Sequence, residues 1–170
     1  MSAASTPRSV IAPTVFDEVD ALLGAATRDL GATGWRTFEA SQLTAFAAAI
    51  GSPGPGPHDA APLTAFAAAT RSPGPGPHDA APPLLILALT NLFLPELLDV
   101  RGASNGINYG TGTVSFATPV RPGDRVRGRA VLVDATEVPG GVQTTIEIRV
   151  EVEGCHDPAC VVESLSRWMR

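Results

Sequence analysis

The sequence contains no lysine, since all twelve of its basic residues are arginines. Without lysine the protein cannot use Schiff-base catalysis or the lysine of a P-loop. The net charge is −5, and the missing basic excess argues against nucleic-acid binding. Two cysteines are too few for a disulfide framework.

Long hydrophobic runs are also missing. The longest, over residues 83–95, is shorter than the about 20 residues that a transmembrane helix needs. Residues 1–13 have no apolar segment of the kind found in signal peptides. We therefore expect a cytoplasmic protein that does not bind a membrane.

The length and composition favour one folded domain. The chain has 170 residues, of which 44% are hydrophobic, enough to form a core. Residues 1–13 are small, polar and interrupted by proline, so we expect a flexible N-terminal arm. Residues 14–170 are expected to form a single domain.

A tandem repeat of 20 residues lies inside this domain. Residues 43–62 read LTAFAAAIGSPGPGPHDAAP, and residues 63–82 repeat them except at two positions. Two copies are too few for a solenoid. A recent duplication, or an artefact of the sequence, explains the repeat most simply, and a selected functional repeat is the alternative. We expect copy one to form an added helix and loop outside the sheet.

The first half of the chain contains helical patterns. Apolar spacing predicts a helix over 15–25, and residues 33–40 resemble a short strand. A second helix is predicted over 42–50, with Ser41 as its N-cap. Residues 83–94 are apolar almost all round, which predicts a helix buried on most faces.

The second half alternates in the manner of β-strands. Even-numbered residues from Val142 to Val152 are apolar or Thr, and the odd-numbered ones are polar. An antiparallel sheet wrapped around the apolar helix would satisfy this order, which is the hotdog arrangement of the α+β class. The predicted strands are 111–120, 125–137, 142–153 and 159–169.

Four segments give the chain a family resemblance. It resembles the MaoC-like dehydratases, the (R)-specific enoyl-CoA hydratase group of hotdog proteins. The resemblance is carried by Leu30–Trp35, by Phe46–Ala49 and its copy Phe66–Thr70, by Ile107–Gly110, and by Phe116–Val120 with Gly123, Val126 and Arg127.

The resemblance implies a hydratase or dehydratase that interconverts 2-enoyl and 3-hydroxyacyl thioesters of CoA or a carrier protein. It implies no cofactor, and it implies a homodimer with sites at the junction of the subunits. Family members use an Asp and a His five residues apart to activate water, and helix-start N–H groups to hold the thioester oxygen.

This chain departs from that pattern in the loop before the central helix. Ser72 stands where the resemblance places the Asp, and Pro73 lies five residues before His78. Pro82 and Pro83 supply no N–H at the helix start. We therefore expect weak or no hydratase activity. A catalytically impaired hotdog protein that binds acyl thioesters or an assembly partner is one alternative, and a hotdog thioesterase is another.

Two His–Asp pairs are the candidate catalytic groups. His78 and Asp79 are favoured, and His58 and Asp59 are less favoured because copy one is not joined to the central helix. Either Asp could instead be the N-cap of that helix.

The resemblance also places one candidate substrate-binding segment. It implies that Asn108, Tyr109 and Gly110 lie near the acyl group. Alternatively, this segment is a Gly-flanked turn with Tyr109 packed.

Two further clusters of residues could form binding sites. Arg121, Arg125, Arg127 and Arg129 could meet CoA phosphates, although a solvated strand face balanced by acids is the simpler interpretation. The segment Cys155–Asp157 with Cys160 invites a metal site, but a hairpin turn explains it, so we expect no metal.

Overall fold

The computed structural model describes residues 12–50 and 80–170. The Pro–Gly segments of the repeat, with His58, Asp59, His78 and Asp79, lie outside the described residues. Within the described ranges, no helix is long and apolar enough to cross a membrane. The elements are β1 (Thr14–Phe16), a 3-10 helix (Val19–Leu22), β2 (Arg28–Ala32), β3 (Arg36–Thr37), α1 (Ala40–Ala49), α2 (Pro83–Leu97), β4 (Leu98–Val100), β5 (Asn105–Phe116), β6 (Arg125–Val138), β7 (Gly141–Val152) and β8 (Cys160–Met169).

One antiparallel sheet dominates the fold. Its strand order is β2-β6-β7-β8-β5, and β3 also pairs with β6. The strands β1 and β4 form a separate parallel pair. A tight turn joins β6 to β7, where Gly140 adopts a φ of +81° that favours glycine. The predicted meander of long strands in the second half is confirmed, but β5 covers 105–116 rather than the predicted 111–120.

The core lies between this sheet and α2. The predicted apolar face of β7 is buried, with Val142, Ile146 and Val150 fully enclosed. Phe93 of α2 is also fully buried against this face. A sheet with one apolar face must cover it, and the apolar helix does so. The prediction of an α+β fold with a sheet around an apolar helix is therefore confirmed.

The central helix differs from the prediction in two respects. It continues to Leu97, through Pro95, rather than ending at Leu94. It is also open on one side, where the side chains of Leu84 and Leu92 are 54% and 49% exposed. The expectation of burial on most faces is wrong for this side, because α2 packs mainly on β6, β7 and β8.

The sequence was less informative about the first half. Residues 15–25 form a short strand and a 3-10 helix instead of one α-helix, because β1 pairs with β4, a distant segment. Strands β2 and β4 were not predicted. The cap of α1 is a capping box of Glu39 and Gln42, not Ser41, which lies inside the helix.

Copy one of the repeat takes part in the packing. Its helix α1 contacts the core through the partly buried side chains of Leu43 and Phe46. As expected for the helix of copy one, α1 lies outside the sheet, and none of its residues is fully buried. The loop of copy one lies outside the described residues.

Candidate functional site

The start of α2 is held to the sheet by a backbone hydrogen bond. The Ala81 N–H donates to the Val120 carbonyl at 2.7 Å. Pro82 is the N-cap residue and Pro83 is the first helical residue, so a carboxylate N-cap from Asp59 or Asp79 is wrong.

One N–H group at this helix start has no acceptor in the part of the chain that the structure describes. The N–H groups of Leu85 and Ile86 both donate to the Pro82 carbonyl. Proline has no N–H, so neither Pro82 nor Pro83 can donate. Within residues 12–50 and 80–170, the Leu84 N–H has no acceptor. A helix N-terminus attracts negative charge, so this group is suited to hold a carbonyl or enolate oxygen.

The predicted substrate segment lies inside strand β5, not in a turn. Asn108 is paired with Ser166 of β8, a residue buried on the helix side of the sheet. The ring of Tyr109 lies against the Arg167 guanidinium, at 3.7 Å, on the opposite face. A bulge between Asn108 and Gly110 separates the two side chains. Asn108 therefore faces α2, whereas Tyr109 does not and is 54% exposed rather than packed.

A side-chain hydrogen bond joins α2 to β5. Nδ2 of Asn108 donates to Oδ1 of Asn91 at 2.9 Å. Leu84 on the helix and Phe116 on the strand are both exposed apolar side chains.

Sequence reasoning missed Asn91. Asn91 interrupts the apolar run 84–94, and no sequence pattern links it to Asn108. The one available signal was an amide side chain in a helix that is otherwise apolar.

The arginines of β6 are engaged in ion pairs. Arg125 pairs with Glu153 at 2.8 Å, Arg127 with Glu151 at 2.6 Å and Arg129 with Asp29 at 2.6 Å. Arg127 also covers the Trp35 ring, with its guanidinium 4.4 Å from the ring centroid. The interpretation as a solvated face balanced by acids fits these pairs better than a phosphate site does.

The two cysteines lie in different environments. Cys155 is exposed in the turn between β7 and β8, and Cys160 is buried at the start of β8. Burial raises the pKa of the Cys160 thiol to about 11. In the part of the chain that the structure describes, no group of three or more His, Cys, Asp or Glu residues could hold a metal ion.

Comparison with solved structures identifies the fold. The MaoC-like dehydratase from Rhodospirillum rubrum matches with a TM-score of 0.61 and 21% identity, covering 86% of this chain and 93% of that one. The (R)-hydratase from A. caviae, involved in PHA biosynthesis, matches with a TM-score of 0.57 and 21% identity, covering 84% and 96%. The protein is therefore a hotdog-fold protein.

Comparison of sequences identifies the family. The 3-hydroxyacyl-thioester dehydratase Z of Mycobacterium tuberculosis is 34% identical over 155 residues, covering 91% of this chain and 97% of that protein. No protein-family profile matches the chain. At this identity and coverage, the chain belongs to the MaoC-like 3-hydroxyacyl-thioester dehydratases.

Proposed function

We propose that the protein is a hydratase or dehydratase of the cytoplasm that interconverts 2-enoyl and 3-hydroxyacyl thioesters of CoA or a carrier protein. The observation that carries this proposal is the Leu84 N–H at the start of α2, which has no acceptor among residues 12–50 and 80–170. A thioester oxygen could accept a hydrogen bond from this donor.

The proposed reaction needs one hydrogen-bond donor for the thioester oxygen and one general base for water. The Leu84 N–H stabilises the negative charge that develops on the thioester oxygen as an enolate forms. His78 removes a proton from water, the hydroxide adds to C3, and the proton is returned to C2. Dehydration runs through the same steps in reverse.

The serine at position 72, where the family has a catalytic Asp, predicts a slow enzyme. Ser72 cannot act as the positioned acid or base that the family uses, and such a loss costs a factor of about 10²–10⁴ in rate. The same substitution motivates the alternative function, a protein that binds an acyl thioester or a partner without turnover. Thioester hydrolysis with Asp79 as the acidic group is the third possibility.

A homodimer formed through β5 is part of the proposal. Among the described residues this strand pairs only with β8, and Asn105–Phe116 contains no charged residue. Natural sheet edges are usually protected by charge, proline or short length. The exposure of Ile107, Tyr109 and Phe116, between 42% and 54%, supports a partner on this strand. Residues 14–170 are proposed to act as a single domain of this dimer.

The activity test uses crotonyl-CoA. Loss of the enoyl absorbance reports hydration, and release of free thiol reports hydrolysis. We expect slow hydration that His78→Ala abolishes, whereas His58→Ala, the matched change in copy one, has a smaller effect. Ser72→Asp should accelerate the reaction, and Ser52→Asp in copy one should not.

Each contrary result has a definite meaning. Robust turnover that survives both histidine substitutions would place the active site elsewhere. Thiol release without loss of the enoyl group would favour the thioesterase. No turnover by wild type and by Ser72→Asp, with retained thioester binding, would favour the binding protein.

A further inference from the structure

A cavity of about 240 Å³ lies beside the turn between β7 and β8, on the face of the sheet opposite to the core. It shares no residue with the start of α2, where the thioester is proposed to bind, so it is a separate site. We call it the turn cavity. The lining residues that matter for its chemistry are Trp35, Arg127, Arg149, Glu151, Cys155 and Asp157.

The size and charge of the turn cavity define the class of ligand. Pockets for drug-sized ligands have volumes of about 300–1,000 Å³, so this smaller cavity suits a molecule about as large as an amino acid. Its lining carries charges of both signs. A zwitterion, with an ammonium and a carboxylate group, is complementary to such a lining.

Two of the charged groups are free to bind a zwitterion. Arg127 and Glu151 already pair with each other at 2.6 Å. Glu147 accepts from Nε of Arg149 at 2.8 Å, but within residues 12–50 and 80–170 the terminal nitrogens of this guanidinium have no acceptor. The Asp157 carboxylate has no donor within the same ranges. Arg149 can therefore bind a carboxylate, and Asp157 an ammonium group.

The cavity also contains a nucleophile. Cys155 lines it and is exposed, whereas Cys160 is buried and its pKa is raised to about 11. Exchange with a disulfide requires a thiolate that the reagent can reach. A small disulfide can reach Cys155 but not Cys160.

We propose that the turn cavity binds a zwitterionic disulfide of the α-amino-acid type and that Cys155 forms a mixed disulfide with it. The Cys155 thiolate attacks one sulfur of the bound disulfide, and the S–S bond of the small molecule breaks as the new S–S bond forms. The departing half leaves as a thiolate and takes up the proton that Cys155 has lost. Cys155 is oxidised and the departing half is reduced, so the step needs no further oxidant.

Reaction rates with two disulfides test the proposal. Mass spectrometry of the intact full chain measures how fast the mixed disulfide forms with cystine, a zwitterion, and with 2-hydroxyethyl disulfide, which is uncharged. Neither reagent has a net charge, so the net charge of −5 on the protein does not favour one of them. Each rate constant is divided by that of N-acetylcysteine with the same reagent. The normalised rate with cystine should be higher by a factor of about 4 or more, the effect of two exposed ion pairs.

Variants locate the groups that recognise the ligand. Cys155→Ser should abolish modification, and Cys160→Ala should leave it unchanged. Arg149→Gln and Asp157→Asn should each slow the reaction with cystine about 2- to 5-fold and leave that with 2-hydroxyethyl disulfide unchanged. Arg129→Gln is the matched control, because Arg129 lies opposite Arg149 on the same face but outside the turn cavity. Equal unfolding temperatures exclude a folding defect.

Fluorescence reports where the attached group lies. Trp35 lines the turn cavity and Trp168 does not. A disulfide quenches tryptophan emission on contact, so modification by cystine should lower the emission of Trp168→Phe but not that of Trp35→Phe. Dithiothreitol, which reduces the mixed disulfide, should restore the emission.

Three results would overturn the inference. The first is equal normalised rates for the two disulfides, which would make Cys155 an ordinary surface thiol. The second is a rate with cystine that ignores both Arg149→Gln and Asp157→Asn. The third is modification that leaves the emission of Trp35 unchanged, since the attached group would then lie outside the cavity. None of these measurements depends on hydratase turnover, so they test this inference separately from the proposed function.

Discussion

Phe93 of α2 lies directly against Gly128 of β6, so that a Cβ built on Gly128 would be 2.5 Å from the Phe93 Cβ. The backbone of Gly128 is held on both sides by Thr33, whose hydroxyl accepts from the Gly128 N–H and whose N–H donates to the Gly128 carbonyl. The helix can approach the sheet this closely only because residue 128 has no side chain.

Substitution of Gly128 should therefore destabilise the fold. Gly128→Ala should lower the free energy of unfolding by about 1–3 kcal/mol, the usual cost of overpacking a core. Denaturant titration measures this value. Gly110→Ala is the matched control, because a Cβ there meets no atom within 4 Å. Equal stability of the two variants would contradict the close approach of helix and sheet.

The buried thiol of Cys160 predicts that the stability of the fold depends on pH. The pKa of Cys160 is raised from 9.0 to about 11 by burial. Between these pH values the unfolded chain loses the thiol proton while the folded chain keeps it, so stability falls as pH rises. The free energy of unfolding should therefore drop more steeply from pH 8 to 10.5 in wild type and Cys155→Ala than in Cys160→Ala. If the free energy of unfolding fell equally with pH in wild type and both variants, the raised pKa of Cys160 would be refuted.

The open edge of β5 predicts how the dimer can be broken. Ile107→Asp and Tyr109→Asp place charge on this strand, where pairing with a second copy would bury it. We expect light scattering at micromolar concentration to show a dimer for wild type and a monomer for these variants. Val133→Asp, an exposed apolar residue of β6, is the control and should stay dimeric. A monomeric wild type would count strongly against the dimer.

The repeat predicts that one copy can be deleted. Removal of 43–62 joins Gln42 to Leu63, so the capping box of Glu39 and Gln42 is followed by the same residues as in α1. The shortened chain should fold with a similar unfolding temperature. Phe66→Ala in the deletion should then cost as much stability as Phe46→Ala in the full chain. An unfolded deletion variant would mean that both copies are structural.

Local sequence patterns were sufficient to predict those elements in which buried residues recur at regular intervals. The alternation of β7 and the apolar run of α2 determine which residues face the core, because these periods reflect backbone geometry. Strands β6, β7 and β8 and the central helix were therefore predicted to within a few residues at most ends. The interpretation of the β6 arginines as a solvated face balanced by acids agrees with their ion pairs, but the sequence did not identify the partners.

Other features depend on partners far away in the sequence. β1 is a strand because β4 pairs with it across more than eighty residues, and no local pattern can report such a pairing. The side to which Asn108 and Tyr109 point depends on a bulge in the pairing with β8. The hydrogen bond between Asn91 and Asn108 is likewise a product of tertiary structure. The sequence by itself determined the central helix, strands β6 to β8 and their core faces, because their burial is periodic. Tertiary packing decided the short strands β1, β2 and β4 and which polar residues meet, because these depend on partners far away in the sequence.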